Sequence, residues 1–140
     1  TPLISDPGYK LINELLEKGY KVESIPGPTA LISALVISGF PTDKFCFLGF
    51  LPKKSGQRKN LLREYLDIDS TLIIYESPFR ITKLLEEILE TLGNRKVCLM
   101  SEITKMFEQR ICDKADNLIK ILESQKAKGE YVVLIAKKDF

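Results

Sequence analysis

An α/β fold is predicted by three features of this 140-residue sequence. Short runs rich in β-branched and aromatic residues alternate with amphipathic stretches of helical period. Gly and Pro punctuate nearly every change of pattern. The final apolar run, residues 131–136, lacks polar alternation, as expected of a central strand buried on both faces.

The elements follow in order. Asp6-Pro7-Gly8 is a helix start, with Asp6 as N-cap and Pro7 in the first helical position. Leu11, Ile12, Leu15 and Leu16 share one face, and Gly19 ends the helix. Residues 21–25 read as a short strand. Pro26-Gly27-Pro28 stops it, since two of those residues lack an N–H. Residues 29–38 form a second helix, apolar nearly all round and so expected to be buried. Gly39-Phe40-Pro41 ends it, and 42–44 is a linker.

The pattern then restarts with a strand at 45–50, a basic loop at 52–56, a helix at 57–66 and a strand at 71–75. Ser77-Pro78 opens an amphipathic helix with Ile81, Leu84, Leu85, Ile88, Leu89 and Leu92 as its stripe, closed by Gly93-Asn94. Residues 96–100 are strand-like, with 106–111 as their partner. A helix at 114–122 buries Ala115, Leu118, Ile119 and Leu122 before the last strand. The elements before Pro41 are too few for a core. Residues 1–41 therefore read as the C-terminal part of one domain, and 44–140 as a complete small domain.

Composition excludes several classes. Hydrophobic residues at 44% and charged residues at 29% describe a globular protein, and a net charge of +2 does not by itself specify a nucleic-acid partner. No apolar run approaches the ~20 residues that span a bilayer. Cys46, Cys98 and Cys112 are odd in number and widely spaced, and read as reduced, mostly buried thiols of a cytoplasmic protein with no metal site. The absence of histidine removes the commonest general base, the usual zinc ligand and any Ser/His/Asp triad. The chain opens on Thr1-Pro2 in what resembles a loop interior, and we expect it to be an N-terminally truncated segment of a longer protein.

Five constellations carry the chemistry. Thr1-Pro2-Leu3-Ile4-Ser5-Asp6-Pro7-Gly8 feeds a helix N-terminus, where free N–H groups favour polar or negative atoms. Pro26-Gly27-Pro28-Thr29-Ala30 is a rigid turn at a strand's carboxyl end, the place where open α/β sheets bind ligands. The others are Phe47-Leu48-Gly49-Phe50-Leu51-Pro52-Lys53-Lys54, then Tyr75-Glu76-Ser77-Pro78-Phe79-Arg80, then Ser101-Glu102-Ile103-Thr104-Lys105-Met106-Phe107-Glu108. Each also has a bland reading as a turn, a capped connection or a charged strand end. Glu76 and Arg80 read equally as a local i,i+4 ion pair worth ~0.3–0.5 kcal/mol. Lys53, Lys54, Arg58, Lys59 and Arg63 read either as a solvated helix face or as a track for phosphates.

In their order and spacing, the five resemble the tetrapyrrole methylase superfamily, and within it the branch that methylates small-subunit ribosomal RNA. The resemblance implies a tetrapyrrole-methylase-like fold: one complete C-terminal α/β domain with a mixed sheet, plus the end of the N-terminal cofactor-binding domain. It also implies S-adenosylmethionine in the cleft between two domains, 2′-O-methylation of a cytidine in 16S rRNA, the small ribosomal subunit as partner and a homodimer in the cytoplasm. The alternatives are a small-molecule methyltransferase of the same superfamily and a non-catalytic RNA-binding or dimerisation fragment. By position, the family pattern implies that Thr1, Ile4, Thr29, Ala30, Glu76 and Thr104 contact the cofactor. It leaves Glu76, Glu102 and Lys105 as candidates for a base and makes Lys53, Lys54, Arg58, Lys59, Arg63 and Arg80 candidates for RNA contact. The sequence departs from the pattern at Phe79, where the family commonly has His, and at Ser101, where it commonly has Arg.

Overall fold

The computed structural model describes residues 1–125 and 127–140. Five strands, β1 (Phe45–Phe50), β2 (Thr71–Glu76), β3 (Lys96–Ser101), β4 (Gln109–Lys114) and β5 (Tyr131–Ile135), form one mixed sheet in the order β1-β2-β5-β3-β4. β1 and β2 are parallel, and β5 runs antiparallel to both β2 and β3. β4 returns antiparallel along β3. The last strand is thus central and buried throughout, as its unbroken apolar run requires.

Helices cover both faces. On one side lie α3 (Ser55–Glu64), α4 (Ile81–Leu92) and α5 (Ala115–Ser124). Leu84, Leu85 and Ile88 of α4 meet Leu72 and Ile74, Val97 and Leu99, and Val133 and Ile135 from the strands. Full burial of a Leu or Ile side chain contributes about 1.5–3 kcal/mol, so the α4 stripe is a major source of stability. On the opposite face α2 (Ala30–Ser38) sets Leu31, Ala34 and Leu35 against Ile73, Cys98, Met100, Val132 and Leu134. Arg110 of β4 fixes the end of α2 by donating to the carbonyls of Ile37 (2.8 Å) and Ser38 (2.7 Å). Segment 1–41 therefore supplies part of the second layer over this sheet.

Several expectations are corrected. The first helix, α1, spans Tyr9–Glu17 with Gly8 at its N-cap, so Asp6 does not cap it and Pro7 precedes it. Gly8 holds φ 131°, and a Cβ there would lie 2.5 Å from the Leu3 side chain. Residues 21–25 form no strand, because none of the described residues pairs with their backbone. α2 buries only one face, leaving Ile32, Val36 and Ile37 exposed. Cys98 and Cys112, expected as thiols, are disulfide-bonded: the β3–β4 register sets them directly opposite, with Cα atoms 4.0 Å apart. Cys46 is free and half-buried.

Candidate functional site

Because β1, β2 and β3 point the same way, their carboxyl ends share one edge of the sheet. There the opening loop, the Pro26-Gly27-Pro28 turn, the start of α2 and the segments after β3 and before β5 enclose a cleft of about 550 Å³. That volume suits a small organic ligand.

Local contacts explain the near wall. Thr1 Oγ1 donates to the Pro28 carbonyl at 2.6 Å, and the Thr1 amino group donates to the same oxygen at 2.9 Å, tying the opening loop to the turn. Ser5 of this loop lies on Gly49, where a bulge interrupts the β1–β2 register. Gly49 has φ 62°, and a Cβ there would come within 2.9 Å of Ser5 Oγ, so glycine permits both the bulge and the approach. Thr29 is extended and occupies the α2 N-cap position without a side-chain cap. Its carbonyl accepts from Ser33 N–H at 3.1 Å. Leu31 N–H donates to Tyr75 Oη at 3.1 Å, leaving the first-turn N–H of Ala30, a residue of the cleft wall, without an intrahelical acceptor. The Tyr75 ring is steadied by edge contacts to Phe47 and Phe50.

The far wall is conformationally unusual. Glu102 (φ 51°), and Thr104 (φ 66°) just outside the hollow, both take left-handed backbone, which is costly for a β-branched residue such as Thr104. Glu102 Oε1 accepts from Lys105 Nζ at 3.3 Å. A Cβ at Gly129 would lie 2.9 Å from the same oxygen, so glycine there lets the carboxylate rest against the chain before β5. Glu130, Tyr131 and Val132 complete this wall.

Thr1, Ile4, Thr29, Ala30, Glu102 and Lys105 are thus brought to one hollow. Two expected cofactor residues are not. Glu76 is fully buried on the sheet face opposite α2, because side chains alternate along β2 and Tyr75 points toward the cleft. Its Oε1 accepts from Ser77 N–H (2.7 Å) and Arg80 Nε (2.8 Å), while Oε2 is buried without a partner among the described residues. Glu76 is therefore neither a cleft residue nor an accessible base. Thr104 is exposed outside the hollow, its N–H directed to Glu108 Oε2 at 2.6 Å. Tyr75, Ile103 and Glu130 line the cleft and were missed. The parity of β2 separates Tyr75 from Glu76, but sequence alone does not say which parity faces α2.

The basic segment divides. Arg58 is buried, with Nε and Nη2 donating to Glu87 of α4 at 2.5 and 2.8 Å, and Nη1 donating to the Pro52 and Lys53 carbonyls. It is a structural cation, buried against Glu87 and not available to the RNA phosphates expected of it. The hydrogen bonds that Arg58 donates to Glu87 raise the Arg58 pKa despite burial. Burial acts against the charge on Glu87, but hydrogen bonds from Arg58 and Ser55 outweigh it and lower that carboxyl's pKa. Lys59 pairs with Glu90 at 2.7 Å, and Arg63 donates to Asn60 Oδ1 at 3.0 Å. Lys53 and Lys54 are exposed and make no ion pair among the described residues.

A mixed sheet with a ligand-sized cleft at its carboxyl edge, walled by these loops, defines a class. The chain belongs to the tetrapyrrole (corrin/porphyrin) methylase family, whose model matches residues 1–119. More narrowly, it is 39% identical over 136 residues to ribosomal RNA small subunit methyltransferase I of Rickettsia prowazekii, covering 97% of this chain and 49% of that protein. It is 46% identical over 138 residues to the protein of the same name from Vibrio cholerae, covering 96% of this chain and 48% of the relative. The chain thus spans about half the length of these relatives. Among solved structures, uroporphyrin-III C-methyltransferase from Thermus thermophilus complexed with S-adenyl homocysteine superposes with a TM-score of 0.66 at 17% identity, over 96% of this chain and 61% of that one.

Proposed function

We propose that this chain forms part of an S-adenosylmethionine-dependent enzyme that 2′-O-methylates a cytidine of 16S rRNA in the small ribosomal subunit. The observation that carries this reading is the convergence of Thr1, Ile4, Thr29 and Ala30 on one cleft, in a chain 39% and 46% identical to two small-subunit rRNA methyltransferases. The residues fit the cofactor. The cleft is large enough, Ala30 presents no bulk, and its N–H at the start of α2 is a donor beside Thr29. When bound, the cofactor supplies an activated methyl group and a sulfide leaving group.

The chain's own residues do the rest. Thr1, Ile4, Thr29 and Ala30 hold and orient the ligand, and Tyr75 backs them. Glu102 and Lys105, which line the cleft with Glu130, are our candidates for the base that takes the ribose 2′-hydroxyl proton, a role in which a positioned base contributes about 10²–10⁴-fold. Lys53 and Lys54, with Arg80 and more weakly Lys59 and Arg63, attract RNA phosphates. A cytoplasmic homodimer completes the reading, and no helix among the described residues is long and apolar enough to cross a membrane. The test is transfer of labelled methyl from S-adenosylmethionine by the full-length protein to unmodified small subunits, set against a tetrapyrrole acceptor. Label recovered as 2′-O-methylcytidine is expected. Label on a base or on the tetrapyrrole overturns the proposal.

A further inference from the structure

We propose that the loops following β1, β2 and β3 form a stacking edge for unpaired RNA, with Phe79 and Phe107 each taking a base and Arg80, Lys53 and Lys54 taking the neighbouring phosphates. This rests on the RNA reading above and names how that substrate is held.

Phe79, in the turn between β2 and α4, is 96% exposed, and Phe107, between β3 and β4, is 75% exposed beside Met106 at 90%. A single exposed apolar side chain needs no explanation. These two occupy loops that share one edge, because β2 and β3 run the same way with only β5 between them. Two inter-strand spacings separate the loop origins by about 10 Å. Phe50, at the end of β1, adds a half-exposed ring to the same edge.

The charges fit a polyanion. Arg80 adjoins Phe79, and buried Glu76 holds its Nε, so the guanidinium is oriented while Nη1 and Nη2 make no hydrogen bond among the described residues. Lys53 and Lys54 stand exposed after β1. Rings interleaved with accessible cations suit a strand whose bases are free to stack, and a duplex hides those base faces. Phe107 also walls a second hollow of about 620 Å³ that shares Glu102 and Tyr131 with the cofactor cleft. A base on Phe107 therefore lies beside the proposed site of methyl transfer.

These 140 residues contain no Trp, so Phe79→Trp and Phe107→Trp, carried by this chain, each install one Trp reporter that can be excited selectively over the five tyrosines. The expected result is quenching of both by a short unpaired RNA oligonucleotide and not by the same sequence in a duplex. Phe79→Ala and Phe107→Ala, checked for native circular dichroism, should each weaken binding of that oligonucleotide about tenfold. If wild type binds the RNA with its usual salt dependence while both reporters stay silent and both Ala variants bind as well as wild type, the stacking proposal fails and the RNA reading stands. If wild type binds no RNA, both fail. Emission changes that follow protein concentration without RNA, with dimers in sedimentation, identify the edge as a contact between copies and also overturn the proposal.

Discussion

Arg58 and Glu87 show how one buried pair redirects the meaning of a charge cluster. Both side chains are almost wholly removed from water, and three hydrogen bonds to Glu87, two from Arg58 and one from Ser55, join α3 to α4. Removing one partner strands the other, which costs about 3–5 kcal/mol. Glu87→Gln should therefore lower the melting temperature by roughly 10 °C, read by circular dichroism. Arg58→Met combined with Glu87→Leu should recover most of that loss, since apolar replacement of both partners removes the buried charge. The pH dependence follows from the lowered Glu87 pKa. Its contribution is complete above the ordinary carboxylate value of 4.5 and is lost as pH falls through the lower folded value. An acid titration of wild type should show this loss, and Glu87→Gln should lack it. A second residue-scale test separates neighbours on β2. Tyr75→Phe removes the acceptor of Leu31 N–H and should weaken cofactor binding about fivefold, the equivalent of ~1 kcal/mol. Glu76→Gln, on the other face, should leave cofactor affinity unchanged. Calorimetry on the full-length protein reads both, and equal losses would return Glu76 to the cleft.

Elements reveal which parts of the molecule were legible beforehand. Strands β1, β2, β3 and β5, and the α4 stripe, follow from local pattern, because a two-residue or 3.6-residue period records burial directly. The segment 21–25 misled because strand identity depends on a partner backbone that apolar residues cannot supply. The cleft was half legible. The family resemblance implied Thr1, Ile4, Thr29 and Ala30, whereas the choice of Tyr75 over Glu76 depends on which sheet face α2 covers. The basic loop before α3 belongs to this scale as well. The acidic partners of Arg58 and Lys59 are Glu87 and Glu90 on α4, far along the sequence, so the cluster looked uniformly cationic. With Arg58 buried, Lys53 and Lys54 are the exposed cations of this loop. Lys53→Glu with Lys54→Glu should weaken RNA binding and reduce the slope of log K against log salt by about 0.7 for each lost contact with a single strand. An unchanged slope in a filter-binding titration would make that loop a solvated surface.

For the whole molecule, the question is how much of the cofactor's surroundings this chain provides. One wall of the cleft comes from the opening loop and α2, the other from the second half, and the chain spans about half of its curated relatives. We expect S-adenosylmethionine to bind this chain much more weakly than the full-length protein in isothermal calorimetry. Equal affinity would show that the residues described here suffice. The strand order carries a further consequence, for biosynthesis. β1–β2 and β3–β4 are hydrogen-bonded pairs, and nothing in the sheet links one pair to the other except β5. A nascent polypeptide emerging from amino to carboxyl end can form each ribbon early, yet must hold two open edges apart until its closing segment threads between them. Release of that segment, and not synthesis of the helices, then sets the moment at which the domain becomes a single cooperative body.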